Sequence, residues 1–274
     1  MYKKINISKR YSLLLAFISW FLTFSFILRI IFIIWQYDEV SFNLFTILGT
    51  LLTGLFYDIG AISFIAIPSA LYYFVFPNKW IGSWLDKTLI WFFTSLTIFI
   101  LVFTFFAEIT FWDEFKTRFN FIAVDYLIYT HEVVSNIQES YPLPILIFGV
   151  LAITAMILFV FYKLKIINNT FHSKATVKDR TIILAITIVT ALFFSFFITN
   201  NQAEWSKNRY NAEISKSGIY SFFAAFRNNQ MAYNEFYTSI NNKAAFDIIR
   251  NKLSDKNSKY KSEGFSIHRT ITDT

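Results

Sequence analysis

There is no cysteine in this chain, so disulfides, thiol nucleophiles and cysteine-held metals are excluded at the outset. Histidine is nearly as scarce. The three, His131, His172 and His268, are scattered, and none has a second histidine or carboxylate at metal-ligand spacing. His131 and Glu132 are adjacent, which on a helix points them to different faces. All three histidines read as solvated surface residues. No glycine loop cradles a phosphate, and no G-x-S-x-G turn presents a nucleophile. Charge is sparse as well, at 16% of residues, and no nucleic-acid motif accompanies the net +7. The composition therefore excludes a nucleic-acid partner, and the sequence offers no catalytic, metal or cofactor residue of its own.

What is abundant is apolar. Hydrophobic residues make up 55% of the 274, and 35 are phenylalanine, far from a soluble globular composition. The apolar runs predict an all-α membrane protein with five transmembrane helices, at about 11–35, 58–76, 88–107, 143–162 and 181–199. The first run is too long for a signal-peptide core and reads as an uncleaved anchor. The stretch 42–76 is too long for one straight span and contains Gly49, Gly54, Gly60 and Pro68. It is read as an interfacial elbow helix over 42–56 followed by a span.

Basic residues sort the loops. The three segments 1–10, 77–87 and 163–180 hold 11 Lys and Arg against two acids, and the intervening two hold two against eight. This asymmetry places the N-terminus in the cytoplasm and the C-terminus outside, with an odd number of crossings. The sequons at Asn6 and Asn168 fall on the inner side and are discounted.

Residues 111–144, FWDEFKTRFNFIAVDYLIYTHEVVSNIQESYPLP, are the one long stretch both aromatic and densely charged. Trp112, Phe115, Phe119, Ile122, Tyr126, Tyr129, Val133 and Ile137 step by threes and fours, predicting an outer amphipathic helix over about 111–140. Glu114 and Arg118 stand at i,i+4, and Pro142 and Pro144 end the pattern. After the fifth span, 200–274 reads as an extracytoplasmic helical extension. Ile219, Phe222, Phe223 and Phe226, then Tyr233, Phe236 and Tyr237, mark short amphipathic helices, and 255–264 is linker-like.

One polar cluster falls near the outer surface: Arg29, Asp58, Glu108, Trp112, Asp113, Glu114, Arg118 and Asp125. The plain expectation for most of these is loop charge in water, with Arg29 snorkelling outward. The sharper expectation is a site for a lipid head group or for docking a soluble domain. Arg29 and Asp58 both border hydrocarbon, where an unpaired charge costs a few kcal/mol, so they are expected to face each other across spans one and two.

With the 111–144 stretch, Gly54-Leu55-Phe56-Tyr57-Asp58 and the tail AEISKSGIYSFFAAFRNNQMAYNEFY, the chain resembles the membrane domain of lipoteichoic-acid-synthase-like proteins of the sulfatase/alkaline-phosphatase superfamily. The likeness is to the group found in Gram-negative bacteria and runs from the first span to about residue 240. It implies five spans and a helical extension ahead of an extracytoplasmic catalytic domain, which would begin where this sequence stops. That domain would transfer phosphoglycerol from phosphatidylglycerol, or act on related phosphate or sulfate esters, with a threonine nucleophile and a divalent metal, usually manganese. No stretch here matches the nucleophile or the metal ligands, so no catalytic residue is carried over. The resemblance implies an anchoring and lipid-presenting module in the bacterial inner membrane, whose partners are anionic phospholipid and a catalytic domain in cis or in trans. Alternatives are the anchor of a phosphoethanolamine transferase and a non-catalytic protein that binds lipid or a partner enzyme. A small transporter needs polar residues in mid-span, and spans three to five carry almost none.

Overall fold

Five helices are long and apolar enough to cross a membrane, and the chain is an all-α membrane protein. The computed structural model describes residues 9–128, 135, 139, 142–228, 240–262 and 264–272. His131, Glu132, the far part of the 111–140 helix and the Tyr233–Tyr237 segment lie outside the described residues.

The first unit begins with a short 3-10 turn, Lys9–Tyr11, and α1, Ser12–Trp35. Helix α2, Leu44–Val75, and α3, Trp84–Phe115, have 32 residues each, about 48 Å of helix. Helix α4 is Phe121–Ile128, α5 Leu143–Lys163, α6 Ile166–Phe171 and α7 Val177–Phe197. Two short helices follow, α8 at Arg209–Ser215 and α9 at Gly218–Asn228.

Local chemistry sets these ends. Asn43 accepts a hydrogen bond from the Thr46 backbone N–H at 2.8 Å to start α2, and Ser83 caps α3 at Asp86. Thr176 and Asp179 form a reciprocal capping box at the head of α7. Within the spans, Thr23, Thr97, Thr104 and Thr187 each donate to the carbonyl four residues back. That bond hides a hydroxyl for which lipid offers no partner. Pro68 lies inside α2 without ending it.

Helix α1 sits between α2 and α3, against which Trp20 and Phe21 pack on the Phe105 ring. Helix α7 lies along the other side of α2, and α5 along α3. The α2–α7 contact is close because a small residue allows it. A methyl group at Gly60 would overlap the Phe194 ring. The last carbonyls of α7 are met by side chains from elsewhere: Tyr220 Oη donates to Phe194 O at 2.9 Å and Ile198 O at 2.8 Å, and Gln202 Nε2 to Phe197 O at 3.0 Å. A buried helix end without such partners would strand its carbonyls.

Three expectations are corrected. The stretch 42–76 is not an elbow helix plus a span but one continuous helix from Leu44. Its glycines are packing positions, not breaks. The helix expected from 111 also does not begin there. Span three runs on through Glu108 to Phe115 and stops at Lys116, which takes the left-handed conformation at φ 54° and donates its N–H to Trp112 O. A separate short helix, α4, starts at Phe121, with 116–120 irregular between them. The boundary after the spans moves too, since α8 and α9 belong to the first unit and the division falls near residue 229 rather than 199.

The second unit holds α10, Asn242–Leu253, and an antiparallel pair, β1 (Ser258–Tyr260) and β2 (Arg269–Ile271). Part of the expected linker at 255–264 is thus strand. No residue of α10 is buried. The unit is tied by polar links: Arg250 Nε donates to Ser266 O at 2.9 Å, its guanidinium lies 4.9 Å from the Tyr260 ring centre, and Tyr260 Oη donates to Arg250 O at 2.7 Å. Arg269 also donates to Leu253 O.

Because Gly60 leaves no room for a side chain, Gly60→Leu should separate α7 from α2 and lower the melting temperature of the detergent-solubilised protein. Gly149→Ala, where a methyl would meet the Phe106 ring at an ordinary 3.7 Å, should leave it nearly unchanged.

Candidate functional site: two buried ionic clusters

Arg29 projects from the last third of α1 into a fully buried position. Its Nη1 donates to Asp58 Oδ2 of α2 at 2.9 Å, so the expected pairing across spans one and two is present. Arg29 does not snorkel to water. Its other donors reach past the spans: Nε to Ile214 O at 3.0 Å and Nη2 to Lys216 O at 3.4 Å. These carbonyls close α8. One guanidinium thus ties α1, α2 and the chain beyond the last span. Gly54, one turn before Asp58, makes room, since a methyl there would overlap the guanidinium.

A second pair lies beside the first. Glu108 of α3 accepts from Arg118 Nη1, with both side chains at most 2% exposed. Lys116 makes this possible. Its left-handed turn reverses the chain, so Arg118 comes back to Glu108 instead of pairing with Glu114. The expected Glu114–Arg118 helix pair is therefore absent, because α3 ends at residue 115. The Arg118 backbone N–H donates to Glu213 Oε2 at 3.3 Å, drawing α8 to the same place. Burial pulls the Arg118 guanidinium below its ordinary pKa, with the Glu108 charge working the other way.

The aromatic frame of this cluster is compact. Trp112 is fully buried and stacks on Phe32 of α1 at 4.4 Å, and Arg118 lies 4.8 Å from the centre of the same Phe32 ring. Trp112 was expected on a membrane-facing surface; it is core. Gly218, at the head of α9, abuts Glu108 so closely that a methyl would overlap the carboxylate. Four buried polar atoms have no partner among the described residues: Asp58 Oδ1, Trp112 Nε1, and Arg118 Nε and Nη2.

The other predicted residues stand apart. Asp113 is exposed, with Lys116 Nζ at 3.3 Å, Glu114 is exposed, and Asp125 is half-buried. These three fit the plain expectation of loop charge. Just above the cluster, Lys216 Nζ meets Glu204 at 2.9 Å and Glu213 at 2.7 Å. Burial disfavours its ammonium, but the two carboxylates outweigh that and raise its pKa.

At the opposite end of the bundle lies a second cluster that the sequence reading missed. Arg10 forks onto Asp86 at 2.9 and 2.8 Å and donates to Thr170 O at 2.9 Å. Asp86 also accepts from Tyr72 Oη at 2.6 Å and from the Gly82 N–H at 2.8 Å. The available signal was Ser83-x-x-Asp86, a helix-start pattern, on a loop where an acid is out of place among lysines. Arg10 and Arg29 are 19 residues apart, about 28 Å, and Asp86 and Glu108 are 22 apart, about 33 Å. Both spacings approximate the ~30 Å hydrocarbon core. The clusters thus lie where charge can be tolerated, one at each end.

Among the described residues no group of three or more His, Asp or Glu could hold a metal ion. The divalent metal that the resemblance implies would belong to the catalytic domain and not to these residues. Fold and site together define a five-helix membrane bundle closed at both ends by buried arginine–carboxylate clusters. Neither the family models, the curated proteins nor the solved structures contain a match to this chain.

A buried pair broken from one side leaves a stranded charge, at a cost of about 3–5 kcal/mol. Arg29→Met and Asp58→Leu should therefore each destabilise the purified protein strongly. Their double variant should lose less than the sum, by about 0.5–3 kcal/mol in a thermal-unfolding cycle. Additivity would show that the two are not coupled.

Proposed function

We propose that this chain is the membrane-anchoring and lipid-presenting module of a lipoteichoic-acid-synthase-like enzyme, working at the outer face of a bacterial inner membrane. The observation that carries this reading is the Arg29 clamp on Ile214 and Lys216. A chain that merely tethers a soluble domain needs no ordered exit from its last span. Here the exit folds back on the bundle through buried charge, which fixes the 209–217 segment against the spans. A catalytic domain in cis or in trans would then meet its lipid substrate at a fixed distance. That substrate is an anionic phospholipid, phosphatidylglycerol in the reading favoured here. The chemistry, phosphoglycerol transfer or a related ester cleavage, belongs to that domain and not to the residues described above.

Orientation follows from charge. Lys79, Lys87, Lys163, Lys165, Lys174 and Lys178 all lie in or beside the turns at the Arg10 end, with Asp86 engaged and Asp179 used as a cap. Basic turns stay cytoplasmic, so the Arg29 end faces outward. A reporter enzyme that folds only outside the cytoplasm, fused after residue 205, should be active, and a fluorescent protein that fails to mature there should be dark. The opposite pattern overturns the proposal. When the purified chain is mixed with phosphatidylglycerol and phosphatidylcholine in equal amounts, the retained lipid should be enriched in phosphatidylglycerol. Equal retention would leave an anchor with no lipid preference and remove the lipid-presenting part.

A further inference from the structure

Helix α9 leaves the Glu108 cluster at Gly218 and runs to the last turn of α7. Tyr220 Oη donates there to Phe194 O at 2.9 Å and Ile198 O at 2.8 Å, and Arg227 Nη1 donates to Ser195 Oγ at 3.4 Å. Two residues far apart along α9 thus land within about one turn of α7, so α9 stays at that level instead of rising from the bundle. At the same level α7 still presents apolar rings outward. Phe193, Phe196 and Phe197 are exposed to 44, 77 and 68%, and they belong to a membrane span.

The rotation of α9 about its own axis is also set. Ser221 Oγ donates to Asn200 Oδ1 at 3.3 Å, and Asn200 opens the polar turn beyond the span. Phe223 and Phe226 lie roughly 160° and 140° from Ser221 around the helix, on its far side. Ile219 lies on that side too, and it is buried in the bundle core. The stripe Ile219, Phe223, Phe226 therefore begins in the core and ends exposed, at 59% and 61% for the two rings. One edge of α9 faces the polar chain beyond the span, and the opposite edge turns its rings back toward hydrocarbon. Arg227, exposed, stands beside them. Among the described residues no carboxylate pairs with it. A cation at the hydrocarbon boundary draws an anion, and the phosphate of a phospholipid is the anion at that depth, matched to the planar guanidinium.

We infer that α9 lies in the membrane interface at the Arg29 end, with Phe223 and Phe226 among the upper acyl chains and Arg227 against a lipid phosphate. The inference goes beyond the anchoring reading, since it holds whether or not a catalytic domain follows. The level of α7 and the unpaired Arg227 favour lipid as the occupant. Residues 229–239 of this chain and a second copy are competing covers for the two rings, and are outcomes of the test.

The lack of cysteine makes single-site labelling simple. Phe226→Cys, Leu96→Cys in the middle of α3 and Lys207→Cys beyond the spans would each carry one fluorescent label on the full chain, reconstituted in phosphatidylcholine vesicles. Lipid brominated near the glycerol end of its acyl chains should quench the label at 226 at least twice as strongly as lipid brominated near the methyl end. The label at 96 should show the reverse order, and iodide on both sides of the bilayer should quench strongly only at 207. Strong iodide quenching at 226 means rings bare in water, and quenching there by no agent means a protein cover. Either result overturns the inference, as does equal or stronger quenching at 226 by the methyl-end lipid. Arg227→Gln tests the phosphate. In native mass spectrometry of the phosphatidylcholine-loaded protein, the wild type should keep one more lipid than the variant at the same activation. Equal retention overturns the phosphate contact even if the rings are quenched as expected. Both measurements read α9 in either leaflet, so a failed reporter fusion at residue 205 would sink the orientation without deciding this inference.

Discussion

A guanidinium taken out of water needs its N–H groups met, and at Arg29 that need organises one end of the bundle. Asp58 satisfies one nitrogen, and the carbonyls of Ile214 and Lys216 take the other two. Because those carbonyls belong to the chain after the last span, meeting this one charge folds α8 onto the bundle. Glu213, carried on α8, then receives the Arg118 backbone N–H, and Arg118 in turn closes on Glu108. Three spanning helices and two other segments are joined through five charged residues, Arg29, Asp58, Glu108, Arg118 and Glu213. The need for space follows as strictly: Gly54 and Gly218 border the cluster where any side chain would collide with it.

Buried ion pairs are poor sources of net stability, since desolvation offsets most of the attraction. Their effect is on arrangement. Lipid gives helices no hydrophobic reason to associate, so small residues and polar links set which faces meet. In this bundle the Gly60–Phe194 contact brings α2 to α7, and the Arg29 and Arg10 clusters fix the registers of α1, α2 and α3 at both ends. An exit segment held this firmly suits a protein that must present something at a defined height, which is the basis of the anchoring and lipid-presenting proposal.

Much of the bundle was legible because the physics is coarse. Runs of twenty or more apolar residues have few alternatives to spanning helices. The Arg29–Asp58 pair was also legible, since two opposite charges bordering hydrocarbon need each other. What escaped was whatever turned on a single backbone angle or on packing between distant segments. No glycine or proline announces the end of α3, because Lys116 adopts the left-handed conformation that glycine usually supplies. Arg118 was therefore assigned to Glu114 by helical spacing rather than to Glu108 by a chain reversal. Trp112 looked like a surface anchor beside Asp113 and Glu114, but the helix carries it to the face packed on Phe32. The glycines of α2 suggested a break, yet two of them are there to admit Arg29 and Phe194. Asp86 stood out only as an acid among lysines, and nothing near it in the sequence pointed to its partner Arg10, 76 residues away.

The central claim is that Arg29 holds the 209–217 segment on the bundle. Hydrogen exchange on the detergent-solubilised full chain, wild type against Arg29→Met, measures this directly, since exchange reports local opening. The account predicts that residues 209–217 lose protection by tenfold or more while the middles of α1, α2 and α3 keep theirs. Unchanged exchange across 209–217 in a variant whose spans remain folded would contradict it.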